Sequence, residues 1–218
     1  MHAQTWPAIS SAQATVLGSD WQVFGFSALA VLLLVWGLIL YSAIRFRRTK
    51  RNPEPRSQKE QNTALELTWT ILPLLFVIAL FVFTFRIESS VEALQPNPAV
   101  KVAVNGYRWG WTFTYAGGPT INGTNMNPPE LVLPIGQLAA TQLTSSDVDH
   151  AFWIPDMLFK RDALPGRVSA FDLTPTKLGT YIGRCAEFCG LNHALMTFTV
   201  RVVTPDEYRR WLRYEATQ

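Results

Sequence analysis

Charge is missing from two long stretches of this 218-residue chain: residues 23–44 (VFGFSALAVLLLVWGLILYSAI) and residues 67–85 (LTWTILPLLFVIALFVFTF) contain no Asp, Glu, Lys or Arg. At 1.5 Å per helical residue each spans roughly 28–33 Å, which matches a bilayer hydrocarbon core of about 30 Å. A buried helix of a soluble protein keeps charge on some face, so the uncharged circumference argues against that reading. Lys and Arg are also absent from residues 1–22. Without a basic leading region the first stretch does not read as a cleavable signal peptide. Cysteine is scarce, at two residues (Cys185 and Cys189), and no C-x-x-C-H occurs, so covalent haem attachment is not expected. Histidine is scarcer than any large ligand set would need, with only His2, His150 and His193. No internal repeat or low-complexity segment is present.

The basic residues that are present cluster between the two apolar stretches. Arg45, Arg47, Arg48, Lys50, Arg51, Arg56 and Lys59 face only Glu54 and Glu60 there, and positive loops stay in the cytoplasm. The sequence therefore predicts an outward-facing N-terminal segment over 1–22 and a transmembrane helical hairpin over 23–87 with a cytoplasmic loop at 45–60. A single outward-facing domain follows over 88–218, with both termini outside. From Glu88 on, 11 basic residues meet 12 acidic ones. The net charge of +3 is thus a topology signal, and no nucleic-acid partner is expected.

Beyond Glu88 the pattern changes to short β-branched or alternating runs separated by Gly, Pro and Asn. VKVAVNGYRWGWTFTY, ELVLP, LAATQLTSS, RVSAFDLTP, GTYIGRC and MTFTVRVV read as strands of an antiparallel sandwich or barrel. TPDEYRRWLRYE closes the chain as a helix, with Thr204 as N-cap, Pro205 in the first turn and Glu207 completing a capping box.

The chemistry is concentrated in RCAEFCGLNHALM, residues 184–196. A disulfide between Cys185 and Cys189 is the bland reading for an oxidising compartment, but so short a ring stabilises little and leaves His193 and Met196 unexplained. Zinc prefers separated Cys and His pairs and has little use for a thioether. Thiolate, imidazole and Met together point to copper in electron transfer, and a second thiolate allows two coppers to share both sulfurs. A second imidazole is then required, and His150 in DVDHAFWIP is the histidine left to supply it, although a lone strand His is more often structural.

These two segments closely resemble the dinuclear copper A (CuA) motif of subunit II of haem–copper cytochrome c oxidases. The resemblance covers nearly the whole chain from the first apolar stretch on. It implies a two-helix transmembrane hairpin followed by an all-β cupredoxin-like sandwich, a Greek-key β-barrel. Carried over, Cys185 and Cys189 bridge both coppers, His150 and His193 each bind one, Met196 ligates one through sulfur and Glu187 the other through its carbonyl. The Glu187 carboxylate would also help hold a Mg²⁺ shared with subunit I.

ALELTWTILP resembles the start of the family's second transmembrane helix, which casts Glu66 as the mouth of a proton pathway; its plain reading is an interfacial charge. NGYRWGWTFTY resembles the aromatic segment where electrons enter, with Trp109 between donor and copper, while Trp111, Phe113 and Tyr115 can equally be core. Gly110 departs from the commoner pattern, which has an aromatic there. Asp147, Asp149 and Asp156 could form an acidic patch for a basic cytochrome, or a solvated loop cancelled by Lys160 and Arg161. DMLFKRDALPGR resembles actinobacterial members, in which the donor would be a c-type cytochrome held in a bc-type complex rather than a soluble one.

The resemblance implies a subunit of a bacterial plasma-membrane oxidoreductase that passes electrons to haem a and the haem a3–CuB site of subunit I, with subunit III and lipid as further partners. Proton translocation follows from the family. A copper-free quinol oxidase subunit II would lack the Cys and His ligands. Nitrous oxide reductase would carry a large propeller instead of paired helices. A copper-delivery module would need exposed, exchangeable ligands.

Overall fold

The computed structural model describes residues 9–47, 61–215 and 217. His2 and the rest of 1–8, and the stretch 48–60 with Arg48, Lys50, Arg51, Glu54, Arg56, Lys59 and Glu60, lie outside the described residues. Two compact units result: residues 19–88, and the described residues up to Gly18 together with those from Ser89 on.

Most of helices α1 (Ala12–Arg45) and α2 (Thr63–Glu92) falls in the first unit, and both run beyond the uncharged stretches at both ends. Hydropathy marks the part of a helix that lies in lipid, whereas helix ends are decided by caps. Ser11 caps α1, its Oγ accepting from the Ala14 N–H at 3.0 Å, and Asn62 caps α2, its Oδ1 accepting from the Leu65 N–H at 3.2 Å. The apolar windows of both helices are wholly unburied, with Leu33 64% and Phe81 68% exposed, the condition of a helix whose solvent is lipid.

The second unit is a β-sandwich of ten strands among the described residues. One sheet holds β1 (Val100–Tyr107), β2 (Gly110–Tyr115), β3 (Thr120–Thr124), β5 (Ala139–Ser145) and β8 (Ser169–Leu173) in the order β3-β2-β1-β5-β8. The other holds β4 (Glu130–Pro134), β6 (His150–Ile154), β7 (Phe159–Ala163), β9 (Gly179–Cys185) and β10 (Thr197–Val203) in the order β4-β10-β9-β6-β7. The antiparallel expectation is corrected at two places, because β1 pairs with β5 and β10 with β4 in parallel. Both arise where the chain crosses between sheets after β3 and β4, so that strands distant in sequence meet running the same way. The single run expected over 100–115 is a hairpin, β1 and β2, turning at Arg108 and Trp109.

Alternating burial places Trp111, Phe113, Phe152 and Phe198 between the sheets, each fully buried. Phe152 stacks on Phe198 with centroids 4.5 Å apart, and Trp111 meets both edge-on at 5.5–5.6 Å. Gly183 on β9 makes room for this stack, since a Cβ there would lie 2.1 Å from the Phe198 ring. Helix α3 (Pro205–Glu215) closes the barrel edge, with Trp211 edge-on to Tyr115 at 5.0 Å. Thr204 caps it as expected, Oγ1 accepting from the Glu207 N–H at 3.3 Å. The Glu207 carboxylate does not complete a capping box; it accepts from Arg201 at 3.2 Å instead.

Candidate metal centre

The end of β9, the loop 186–192 and a 3-10 turn at His193–Leu195 form one edge of the sandwich, and β6 forms the neighbouring edge. Backbone bonds fix both. The Cys185 N–H donates to the Met196 carbonyl at 2.9 Å, closing the loop at its base, and the Ala186 N–H donates to the Ala151 carbonyl at 3.1 Å, tying the loop to β6. Because Phe152 faces Cys185 in the β6–β9 register, His150 at the start of β6 reaches the same point as the loop.

Six donor atoms gather there. Cys185 Sγ lies 3.9 Å from Cys189 Sγ, 3.7 Å from His150 Nδ1 and 3.2 Å from the Glu187 carbonyl oxygen. Cys189 Sγ lies 3.5 Å from His193 Nδ1 and 3.7 Å from Met196 Sδ. The two thiols are free, and their separation is far from the roughly 2.05 Å of a disulfide. Neighbouring donors 3.5–3.9 Å apart suit ions bonded at about 2.0–2.3 Å. His150 and Met196 are fully buried, and both cysteines nearly so.

The electrostatics favour a cation here. Burial opposes ionisation of Cys185, but hydrogen bonding to His150 and to backbone groups outweighs it and brings this thiol down to about 6. Cys189 is pushed up to about 12 by burial and then by the charge on Cys185. One thiolate forms easily and the second is resisted, an obstacle that metal binding would remove. A soft, thioether-containing set of two thiolates and two imidazoles suits copper better than zinc.

Around this cluster, Trp109 is half-buried in the β1–β2 turn, and its Nε1–H donates to the Cys189 carbonyl at 3.2 Å. Gly190, at φ +114°, lies against its ring, where a Cβ would sit 3.3 Å from Cζ2. The Glu187 side chain is exposed, while its carbonyl turns inward. Glu66 lies in the other unit, in the first turn of α2, where its Oε1 accepts from the Asn62 N–H at 3.1 Å.

Asp147 has a partner that sequence reading did not foresee. Its Oδ1 lies 2.9 Å from His150 Nε2 and accepts from the Val148 N–H at 2.7 Å; its Oδ2 accepts from the Arg108 N–H at 2.9 Å and Nε at 3.2 Å. These bonds outweigh burial and hold its carboxyl well below the usual range. His150 is correspondingly raised, its burial outweighed by Cys185 and Asp147. Asp147 is therefore not a free member of an acidic patch with Asp149 and Asp156. Nor do Lys160 and Arg161 cancel that patch: Lys160 is paired to Asp162 at 3.8 Å and Arg161 to Glu92 at 2.6 Å. The D-x-x-H spacing was the available signal.

Fold and cluster together define a class: a membrane-anchored cupredoxin-like protein with a buried thiolate–imidazole set able to hold metal. Comparison with known proteins narrows it. Residues 126–203 match the family model for cytochrome c oxidase subunit II, periplasmic domain, and residues 7–87 match that for its transmembrane domain. The chain belongs to the cytochrome c oxidase subunit II family, a component of an oxidoreductase complex, and is membrane-anchored with its β domain outside. It is 36% identical over 246 residues to a probable cytochrome c oxidase subunit 2 of Streptomyces coelicolor, covering 95% of this chain and 77% of that one. Such an actinobacterial relative agrees with the form of DMLFKRDALPGR. The β domain resembles the crystal structure of the periplasmic domain of subunit II of cytochrome oxidase of Bradyrhizobium japonicum, with 29% identity and a TM-score of 0.51 over 57% of this chain and 97% of that one. A second solved structure, the mixed disulfide intermediate between a thioredoxin-like protein and subunit II of cytochrome c oxidase, aligns at 27% identity and TM-score 0.50, covering 58% of this chain and 97% of that one.

Proposed function

We propose that this chain is the electron-receiving subunit of a respiratory cytochrome c oxidase and holds a dinuclear copper centre, CuA, on His150, Cys185, Glu187, Cys189, His193 and Met196. When bound, that centre would supply one-electron chemistry, by which electrons from a c-type cytochrome would reach haem a and the haem a3–CuB site of subunit I, where oxygen would be reduced with proton translocation. The observation that carries the reading is the closed set of six donors, with each sulfur of the Cys pair within 3.9 Å of the other, of one imidazole and of one weaker donor.

The residues of the chain divide the work. Cys185 and Cys189 would supply the thiolates, and His150 and His193 the imidazoles, that hold the ions. Burial of His150 and Met196 keeps water out, so little solvent has to reorganise when charge changes. Trp109, bonded to the Cys189 carbonyl, offers an aromatic route from a docked donor. The Glu187 carboxylate, directed outward, is free to take a Mg²⁺ at the contact with subunit I. Glu66 at the cytoplasmic end of α2 serves proton uptake, and its bond to Asn62 holds it at the helix mouth. Subunits I and III and lipid enclose the helices. The donor is a c-type cytochrome, soluble or carried in a bc-type complex. The mixed disulfide formed by a related subunit suggests that a thioredoxin-like partner keeps Cys185 and Cys189 reduced before metal uptake.

Low-temperature EPR with copper quantitation on the solubilised full chain tests this. A multi-line hyperfine pattern with two coppers per chain is expected. A single-copper four-line spectrum, or a copper-free Cys185–Cys189 disulfide, would refute it and favour a quinol-oxidase or copper-delivery role.

A further inference from the structure

We infer that Asp147, held by Arg108, is a positioning residue that fixes the His150 imidazole and ties the Trp109 turn to the metal centre. The inference rests on the copper reading above and adds two residues that donate nothing to the ions. His150 is fully buried, and the only side-chain partner of its Nε2 among the described residues is Asp147 Oδ1 at 2.9 Å. A carboxylate at Nε2 accepts the ring N–H, which leaves Nδ1, the nitrogen facing Cys185, as the free lone pair. An imidazole ligand so oriented keeps one tautomer and gains basicity.

Asp147 could not hold that pose alone, since it sits in a surface loop beyond β5. Both of its oxygens are engaged: Val148 N–H on Oδ1 beside the imidazole, and the Arg108 backbone N–H and Nε on Oδ2. Arg108 precedes Trp109 in the β1–β2 turn, and Trp109 bonds the carbonyl of Cys189. One carboxylate thus links β6, the β5–β6 loop and the β1–β2 turn around the cluster. Gly106 leaves space for this arrangement, as a Cβ there would lie 3.2 Å from His150 Cδ2. Both oxygens of Asp147 are engaged by the protein itself, although the carboxylate is a quarter exposed and Arg108 half exposed, so its loss should alter the centre.

The test compares Asp147→Ala, Asp147→Asn, Arg108→Gln and, as control, Asp149→Asn, all in the solubilised full chain loaded with copper. Copper affinity, EPR hyperfine pattern and reduction potential are measured for each. Asp147→Ala should lose roughly 10–100-fold in copper affinity, the usual scale for a lost outer partner of a metal-bound histidine. Asp147→Asn, which keeps an acceptor toward His150, should recover most of that affinity while still showing a shifted potential, and Asp149→Asn should match wild type. Should Asp147→Ala fail to fold, the potential of Asp147→Asn and Arg108→Gln decides. Copper-loaded variants identical to Asp149→Asn in all three readouts would overturn this inference alone, whereas a wild-type chain that binds no copper would overturn it together with the proposed function.

Discussion

Met196 shows how residue-scale chemistry separates from residue-scale packing. It is fully buried, 3.7 Å from Cys189 Sγ, and bounds the core beside the metal cluster. Met196→Leu keeps volume and apolarity, so the fold should lose less than about 1.5 kcal/mol. The potential and hyperfine pattern of the loaded protein should change and electron transfer should slow; unchanged spectra and turnover would remove Met196 from the ligand set. In the metal-free chain the thiol pair should release its first proton near pH 6 and resist the second, with one thiolate present above that pH and none below it. Thiolate absorbance against pH checks this, and one joint step near an ordinary thiol value would contradict the geometry. Glu66→Gln should impair oxygen uptake in the assembled oxidase while leaving the copper spectrum untouched. Normal oxygen and proton uptake would leave Glu66 only its bond to Asn62. The proposed ligand residues were legible because five of them lie within twelve positions; the D-x-x-H spacing hinted at the Asp147–His150 contact, but Arg108, 39 residues away, meets Asp147 only once the chain folds.

At the scale of elements, the Phe152–Phe198 stack lies over Gly183 within one sheet, and Trp111 of the other sheet meets both rings edge-on, so this cluster packs the two sheets together. Phe198→Ala should cost about 3–5 kcal/mol, read by denaturant unfolding. Gly183→Val should destabilise comparably, because its Cβ would overlap the Phe198 ring; wild-type stability in either would mean that the stack does not carry the core. Strands with clear alternation, such as β1 and β10, were predictable from period alone. Strand β3 (TINGT) and strand β7 (FKRDA) were not, since short, polar or charged edge strands present no buried face to impose a pattern. The helix ends likewise exceeded the apolar stretches because Ser11 and Asn62, not hydropathy, terminate them.

At the scale of the whole molecule, labelling of intact and opened cells should find residues 88–218 reachable from outside and 45–60 only from the cytoplasm; the reverse would overturn the topology. Two spans, their orientation and the ligand types follow from the sequence by itself, because each depends on local composition or on a spacing within one segment. Lipid requires uncharged length, and a loop of thirteen residues must bring its own donors together. Only the tertiary structure decided that His150 joins the loop, that parallel pairs close both sheets, and that Arg108 reaches Asp147 beside His150. The reason is distance along the chain: strand register brings together groups 35 to 69 residues apart, and no local spacing encodes that meeting.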